Sequence, residues 1–327
     1  MKQIKNLFQT SKKLKKKKTI FFLASFFSTV IISSEKAFAD SLEAACDTIS
    51  GYPYDSLTKS DDNIQRLNSG NGCTLSPGGY IVKAFELGIC PASINPYKET
   101  GLDTTGCEII WKSDTGEEAN LVTNSGSPVT YNLAEEGLER PAAGTYKYGY
   151  IIIDDTIRLK ATLKLNNQTW HTTSRFLEFS ESVPDEGPQA SLGKTSGEAE
   201  FVDTRIGFFE NSSAQNGVAC HVENFDTGET LFSGLVLNSD KKTKSTITAS
   251  TNNRGGNTAY CAGSRYLAGI QTFETPIVIT NSSSSFNISF DTTNKGAWVE
   301  SYQYSSLDPQ HRPYFDVGPF VIRMTVN

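Results

Sequence analysis

The chain of 327 residues carries 30 basic and 36 acidic side chains, a net charge of −6 at pH 7, together with 26 glycines, six cysteines and only three histidines. An acidic chain repels phosphate backbones and anionic lipid, which excludes functions driven by electrostatic binding of nucleic acid or of an anionic membrane. Few long helical patterns occur, and abundant Ser, Thr, Asn and Gly suit short strands joined by turns.

In chain order, the first signal is one of targeting. Residues 1–18 hold eight lysines, ending in Lys15, Lys16, Lys17 and Lys18, and lead into 14 mostly apolar residues, 19–32. That run is shorter than the roughly 18 needed to cross a bilayer as a helix, and Ala37-Phe38-Ala39 follows it as an A-x-A cleavage pattern. A signal peptide over 1–39 is expected, with a retained anchor as the alternative. Processing leaves 21 basic against 35 acidic residues, a net charge of −14, and no integral membrane segment is expected afterwards.

All six cysteines lie beyond that point: Cys46, Cys73, Cys90, Cys107, Cys220 and Cys261. An even number in an exported chain reads as disulfides, because the compartment beyond the inner membrane is oxidising. Their clustering favours three local bridges, Cys46 to Cys73, Cys90 to Cys107 and Cys220 to Cys261, each contributing about 3 to 4 kcal/mol through chain entropy. No C-x-x-C or paired-His spacing supports zinc, and no metal or cofactor is expected.

Strands are predicted over 80–90, 108–112, 201–209, 218–224, 231–237, 245–250, 259–266, 276–280, 286–290 and 320–326, with one short helix over 41–46. The clearest pattern lies at 144–165. Ile157, Leu159, Ala161, Leu163 and Leu165 alternate with Arg158, Lys160, Thr162 and Lys164, the period of a strand with one buried face. A two-residue turn at Asp154-Asp155 then predicts a hairpin with Tyr150 opposite Leu159, Tyr148 opposite Ala161 and Tyr146 opposite Leu163, placing the tyrosines in the core beside the leucines. The stretch Lys241-Lys242-Thr243-Lys244 reads as a solvated hairpin turn.

At Gly144-Thr145-Tyr146-Lys147-Tyr148, preceded by Pro141, the chain resembles the strand start of immunoglobulin-like and transthyretin-like modules of bacterial surface proteins, over about ten residues. The expected fold class is all-β: antiparallel β-sandwich, immunoglobulin-like or transthyretin-like, in two domains after a cleaved signal peptide. The expected division is 40–180 as a disulfide-stapled sandwich, 181–198 as a linker poor in large apolar residues, and 199–327 as a second sandwich.

Two Asp-Thr-Gly triplets, Asp114-Thr115-Gly116 and Asp226-Thr227-Gly228, resemble those of pepsin-like aspartic proteases, whose paired carboxylates share a proton and activate water. Here Glu117-Glu118 and Glu229 follow them, which a buried dyad tolerates poorly, and Asp-x-Gly is also what a turn requires. No Gly-x-Ser-x-Gly elbow occurs, and a cysteine committed to a disulfide cannot act as a thiolate. No catalytic residue is assigned. The expectation is an exported, non-catalytic structural or adhesive protein of the periplasm, cell surface or extracellular space, associating with itself through edge strands or with surface glycans. The alternatives are a carbohydrate-binding module, with Trp111, Trp170, Trp298, Tyr302 and Tyr304 as stacking residues, and a secreted hydrolase.

Overall fold

A computed structural model describes residues 73–123, 127–132, 140–165, 168–173, 191–207, 209–210, 218–227, 230–251, 257–305 and 308–327. The chain divides into a Met1–Ala39 unit and an Asp40–Asn327 unit, and every described residue belongs to the second. The expected signal segment, the helix over 41–46 and Cys46 lie outside the described residues.

The described residues form no helix. Their strands begin with β1 (Cys73–Leu75), β2 (Gly79–Pro91), β3 (Tyr97–Lys98), β4 (Gly101–Leu102), β5 (Glu108–Asn120), β6 (Thr130–Asn132), β7 (Gly144–Asp154) and β8 (Thr156–Lys160). There follow β9 (Thr162–Leu165), β10 (Gln168–His171), β11 (Ser191–Leu192), β12 (Val202–Arg205), β13 (Phe209–Glu210), β14 (Val218–Ala219), β15 (His221–Asp226) and β16 (Leu231–Leu237). The chain closes with β17 (Thr246–Thr251), β18 (Asn257–Ala262), β19 (Tyr266–Ile279), β20 (Phe286–Asp291), β21 (Ala297–Ser305), β22 (Asp308–Val317) and β23 (Val321–Val326).

Eight strands make the principal antiparallel sheet, in the order β12-β8-β2-β7-β19-β16-β15, with β5 also on β2. One face packs against two smaller sheets, β1-β21-β22-β11 and β23-β20-β6, in a core that joins Tyr80, Ile151 and Leu159 to Val299, Phe315, Ile288 and Ile322. The other face carries a second cluster, in which Tyr150, Ile152 and Leu235 are covered by Tyr97 and Leu102 of the β3–β4 hairpin. This two-sided burial explains the unbroken apolar run of β7: Ile151 and Ile153 enter the first core while Tyr150 and Ile152 enter the second. The fold is thus the all-β, antiparallel sandwich expected.

Both sides of the 181–198 stretch contribute to one sheet. β7 pairs with β19 from Tyr266↔Asp154 to Ile279↔Gly144, and β8 pairs with β12 from Val202↔Leu159 to Arg205↔Thr156. Within the stretch itself, Ser191 is fully buried, β11 pairs with β22 and Lys194 bridges His171, while 195–198 form no strand.

The alternation at Ile157, Leu159, Ala161 and Leu163 holds, all four being buried. The predicted hairpin does not form. β2 pairs with β7 along Ala84–Pro91 and with β8 along Gly79–Ile81, both antiparallel, while β5 occupies the opposite edge of β2. β7 and β8 are therefore two halves of one bent strand, and Tyr150 faces Gly88 and Ile270 instead of Leu159. Tyr146 and Tyr150 are buried as expected, but register shifts separate them: Tyr146 joins the core of the leucines, and Tyr148 and Tyr150 join the opposite one.

The cause is Asp155, which a surface turn would leave in water. Its side chain is only 7% exposed; Oδ2 accepts from Arg205 Nε at 2.9 Å and from Ser264 Oγ at 2.6 Å. Its carbonyl accepts from Ile206 N at 2.7 Å, and its amide donates to Arg265 O at 3.3 Å. The carboxylate thus fixes a bend at which the outer neighbour changes from β19 to β12. Asp155→Ala is expected to cost about 3 to 5 kcal/mol by leaving the Arg205 guanidinium buried without its anion, and Asp155→Leu with Arg205→Met to recover part of that loss. Urea unfolding followed by tryptophan fluorescence measures both; equal midpoints for the wild type and Asp155→Ala would show that the bend does not depend on this pair.

Candidate functional site

Two of the expected bridges are present. Cys90, near the end of β2, joins Cys107, just before β5, and Cys220, between β14 and β15, joins Cys261 of β18. Cys73 of β1 is also disulfide-bonded. Disulfides form and persist in oxidising compartments, which fits export, and no helix among the described residues is long and apolar enough to cross a membrane.

The Asp-Thr-Gly triplets stay apart. Asp114 to Gly116 lie in a bulge of β5, between Lys112 opposite Glu86 and Glu117 opposite Ala84, and Asp114 is exposed. Gly116 has φ +72°, so the bulge uses the glycine as a turn would, although the strand continues through it. Asp226 closes β15 opposite Leu231, where Thr227 N donates to Thr230 O at 3.1 Å and starts the expected hairpin turn into β16. Four strands, β2, β7, β19 and β16, separate the two triplets across the sheet.

The stacking residues are equally dispersed. Trp111 is half-buried on β5, Trp170 is buried in the main core on β10, and Trp298 is half-buried on β21. The three belong to different sheets, and burial leaves Trp170 no open ring face for a sugar. Tyr302 and Tyr304 lie on β21, with their side chains outside the described residues.

What the fold does assemble is an apolar cavity of about 170 Å³. It is lined by Ile151 and Ile153 of β7, Ile157 of β8, Val222 and Phe225 of β15, Phe232 of β16, Leu267 of β19, and by Ile206 and Phe209. Tyr80 and Phe320 close one end edge-to-face at 5.9 Å, and the Tyr80 hydroxyl donates to Gly318 O at 2.9 Å. Burial foremost, and the nearby Asp316, push the Tyr80 phenol far above its usual range, so it stays neutral. Two of the lining rings, Phe232 and Phe209, pack on glycines. A Cβ on Gly269 would stand 3.0 Å from the Phe232 ring, and one on Gly234 2.6 Å from the Phe209 ring, so both rings lean on bare backbone. At about 24 cal/mol per Å³, a closed void of this size costs roughly 4 kcal/mol, an upper bound where one side is open.

Sequence reasoning missed this site because its residues come from segments more than 200 residues apart. The available signal was the spacing of Val222, Phe225 and Phe232, three large apolar residues that the shift between Val222 and Phe225 turns to one side.

A polar cluster involves the first residue of β15. His221 Nδ1 lies 3.2 Å from Lys244 Nζ, and its ring is tilted against Tyr97 at 6.3 Å. The Tyr97 hydroxyl is buried without a partner, and burial, then Glu223 and Glu99, pushes it up to about 12. In the other direction of the turn, Lys241, expected to be solvated, places Nζ 4.1 Å from the Phe85 ring and 5.1 Å from that of Tyr266.

No family model, no curated protein and no solved structure matches the chain.

Burial first, and then Lys244, hold the His221 imidazole below its ordinary 6.5, against the opposing pull of Glu99 and Glu223. A base whose folded value is lowered takes up fewer protons than in the unfolded chain, so its contribution to stability is full at pH above 6.5 and falls away below it. The Tm difference between wild type and His221→Gln is therefore expected to move against the wild type on acidification from about pH 7.5 to about pH 5. Calorimetry at both values tests this, and a pH-independent difference would refute it.

Proposed function

We propose that the chain is an exported, disulfide-stabilised structural or adhesive protein of the bacterial cell surface or periplasm, without a catalytic role. The disulfides carry this reading. They clamp the ends of strands on the principal sheet and on the β17–β18 pair, the bracing a sandwich needs where no chaperone or reductant protects it. The dispersed aspartates, and cysteines already spent in bridges, support a role in binding or assembly over hydrolysis.

The sheet edges suggest how association proceeds. β5 is irregular and bears Lys112, Glu117 and Glu118, and β15 is interrupted between Val222 and Phe225 by Asn224 at φ +56°, two devices that blunt an edge. β17 is different: Thr246 to Thr251 pair with β18 in unbroken register, carry no charge or proline, and include Ile247 at 53% exposure. Among the described residues β17 pairs with β18 alone, leaving an edge on which a further strand adds by main-chain hydrogen bonds.

The mature protein, recovered from an oxidising compartment, is expected to self-associate or be retained on cells, and Ile247→Lys to weaken that by tenfold or more, roughly 1.4 kcal/mol or above. Light scattering and a cell-retention assay read the two outcomes. A monomer that stays in solution and binds no surface would contradict the proposal.

A further inference from the structure

We propose that the cavity beneath Tyr80 and Phe320 is a binding site for a small neutral aromatic molecule of about one ring. The argument is independent of surface association and rests on shape and chemistry. An enclosed apolar cavity of about 150 Å³ lined by aliphatic and aromatic side chains accepts benzene, and the pocket here, about 170 Å³ and partly open to solvent, has room for a molecule of that size. A long acyl chain exceeds that volume.

The walls choose the chemistry. None of the described residues that line the cavity carries a charge, and Ile151, Ile153 and Leu267 offer no hydrogen-bonding side chain. The one hydroxyl in the lining, on Tyr80, is already committed to Gly318 O, so an ionised or strongly polar ligand would lose its water without replacement bonds. Phe225 and Phe232 are half-buried, their rings reaching both the cavity and solvent. They offer a path of access and aromatic contacts for an entering ring.

A void that could be filled by one larger side chain is costly to keep. Val317, half-buried in the lining, is such a position. A phenylalanine there adds side-chain volume to the lining, which makes Val317→Phe the variant expected to fill the space.

The test uses the disulfide-bonded protein with toluene as the probe, benzoate as its charged counterpart, and Val317→Phe as the filled variant. Titration calorimetry should show one toluene per chain, and a hundredfold excess over Kd should raise Tm by roughly 5 °C. Benzoate should bind at least tenfold more weakly. Val317→Phe should lose the toluene response while keeping a Tm at or above that of the unliganded wild type. Should that variant not fold, nuclear Overhauser contacts from toluene to the Ile151 and Ile153 methyls of the wild type decide the matter. Absence of saturable binding, an undiminished response in a folded Val317→Phe, contacts elsewhere, or equal affinity for benzoate would each overturn the proposal. None of these readouts depends on self-association, so the surface reading stands or falls separately.

Discussion

A single buried carboxylate sets the path of the principal sheet. Asp155 interrupts what would otherwise be one straight strand from Gly144 to Lys160, and it does so by drawing together three segments that are distant in the chain: the bend itself, Arg205 at the end of β12, and Ser264 ahead of β19. Arg205 Nη2 also donates to Ser264 O at 3.1 Å, so the two partners of the carboxylate are tied to each other as well. Without that knot the outer edge of the bent strand would have one neighbour; with it, β19 lines the first half and β12 the second. The hydrophobic effect supplies the drive to bury β7 and β8, but it is indifferent to where the strand turns, and a directional, charge-assisted contact resolves that indifference.

Once the bend is placed, the rest of the sandwich follows by covering exposed faces. The central strands have two apolar faces, so each needs a lid. On one side the β1-β21-β22-β11 and β23-β20-β6 sheets supply it, and Gln271 of β19 locks the latter down by acting as a strand partner, its amide donating to Ile322 O at 2.8 Å and accepting from Ile322 N at 2.6 Å. On the other side, among the described residues, the lid is the short β3–β4 hairpin, held by Leu102 N to Lys242 O at 2.7 Å and Lys244 N to Thr100 O at 3.0 Å. A lid of so few residues has little burial energy of its own, and the Cys90–Cys107 disulfide, which encloses that hairpin, offsets the deficit by restricting the unfolded chain.

Local periodicity was legible in the residues and long-range pairing was not. The burial of Ile157, Leu159, Ala161 and Leu163 follows from side-chain alternation, which is a property of neighbours. Proximity along the chain likewise identified the Cys90–Cys107 and Cys220–Cys261 bridges. The hairpin at Asp154-Asp155 failed for the opposite reason: two adjacent aspartates look like solvated turn residues until the partners of Asp155, 50 and 109 residues away, are known. Trp170 illustrates the same limit, since a tryptophan followed by histidine on a four-residue strand gives no indication of whether its ring meets water or the main core.

The cavity belongs to this second, non-local category, and its existence bears on how the molecule balances stability against use. The strands in the cavity's lining are hydrogen-bonded to neighbours, while Ile206 and the Gly318-Pro319-Phe320 segment of the lining lie outside strands. The rings of Phe232 and Phe209, both in the lining, rest against glycines, Gly269 of β19 and Gly234 of β16. A larger residue at either glycine would clash with the ring it supports. Three disulfide-linked strand regions and the Asp155 knot give such a sheet the reserve to hold open a volume that a less constrained core would close, and that reserve is the physical condition for any site built from apolar walls alone.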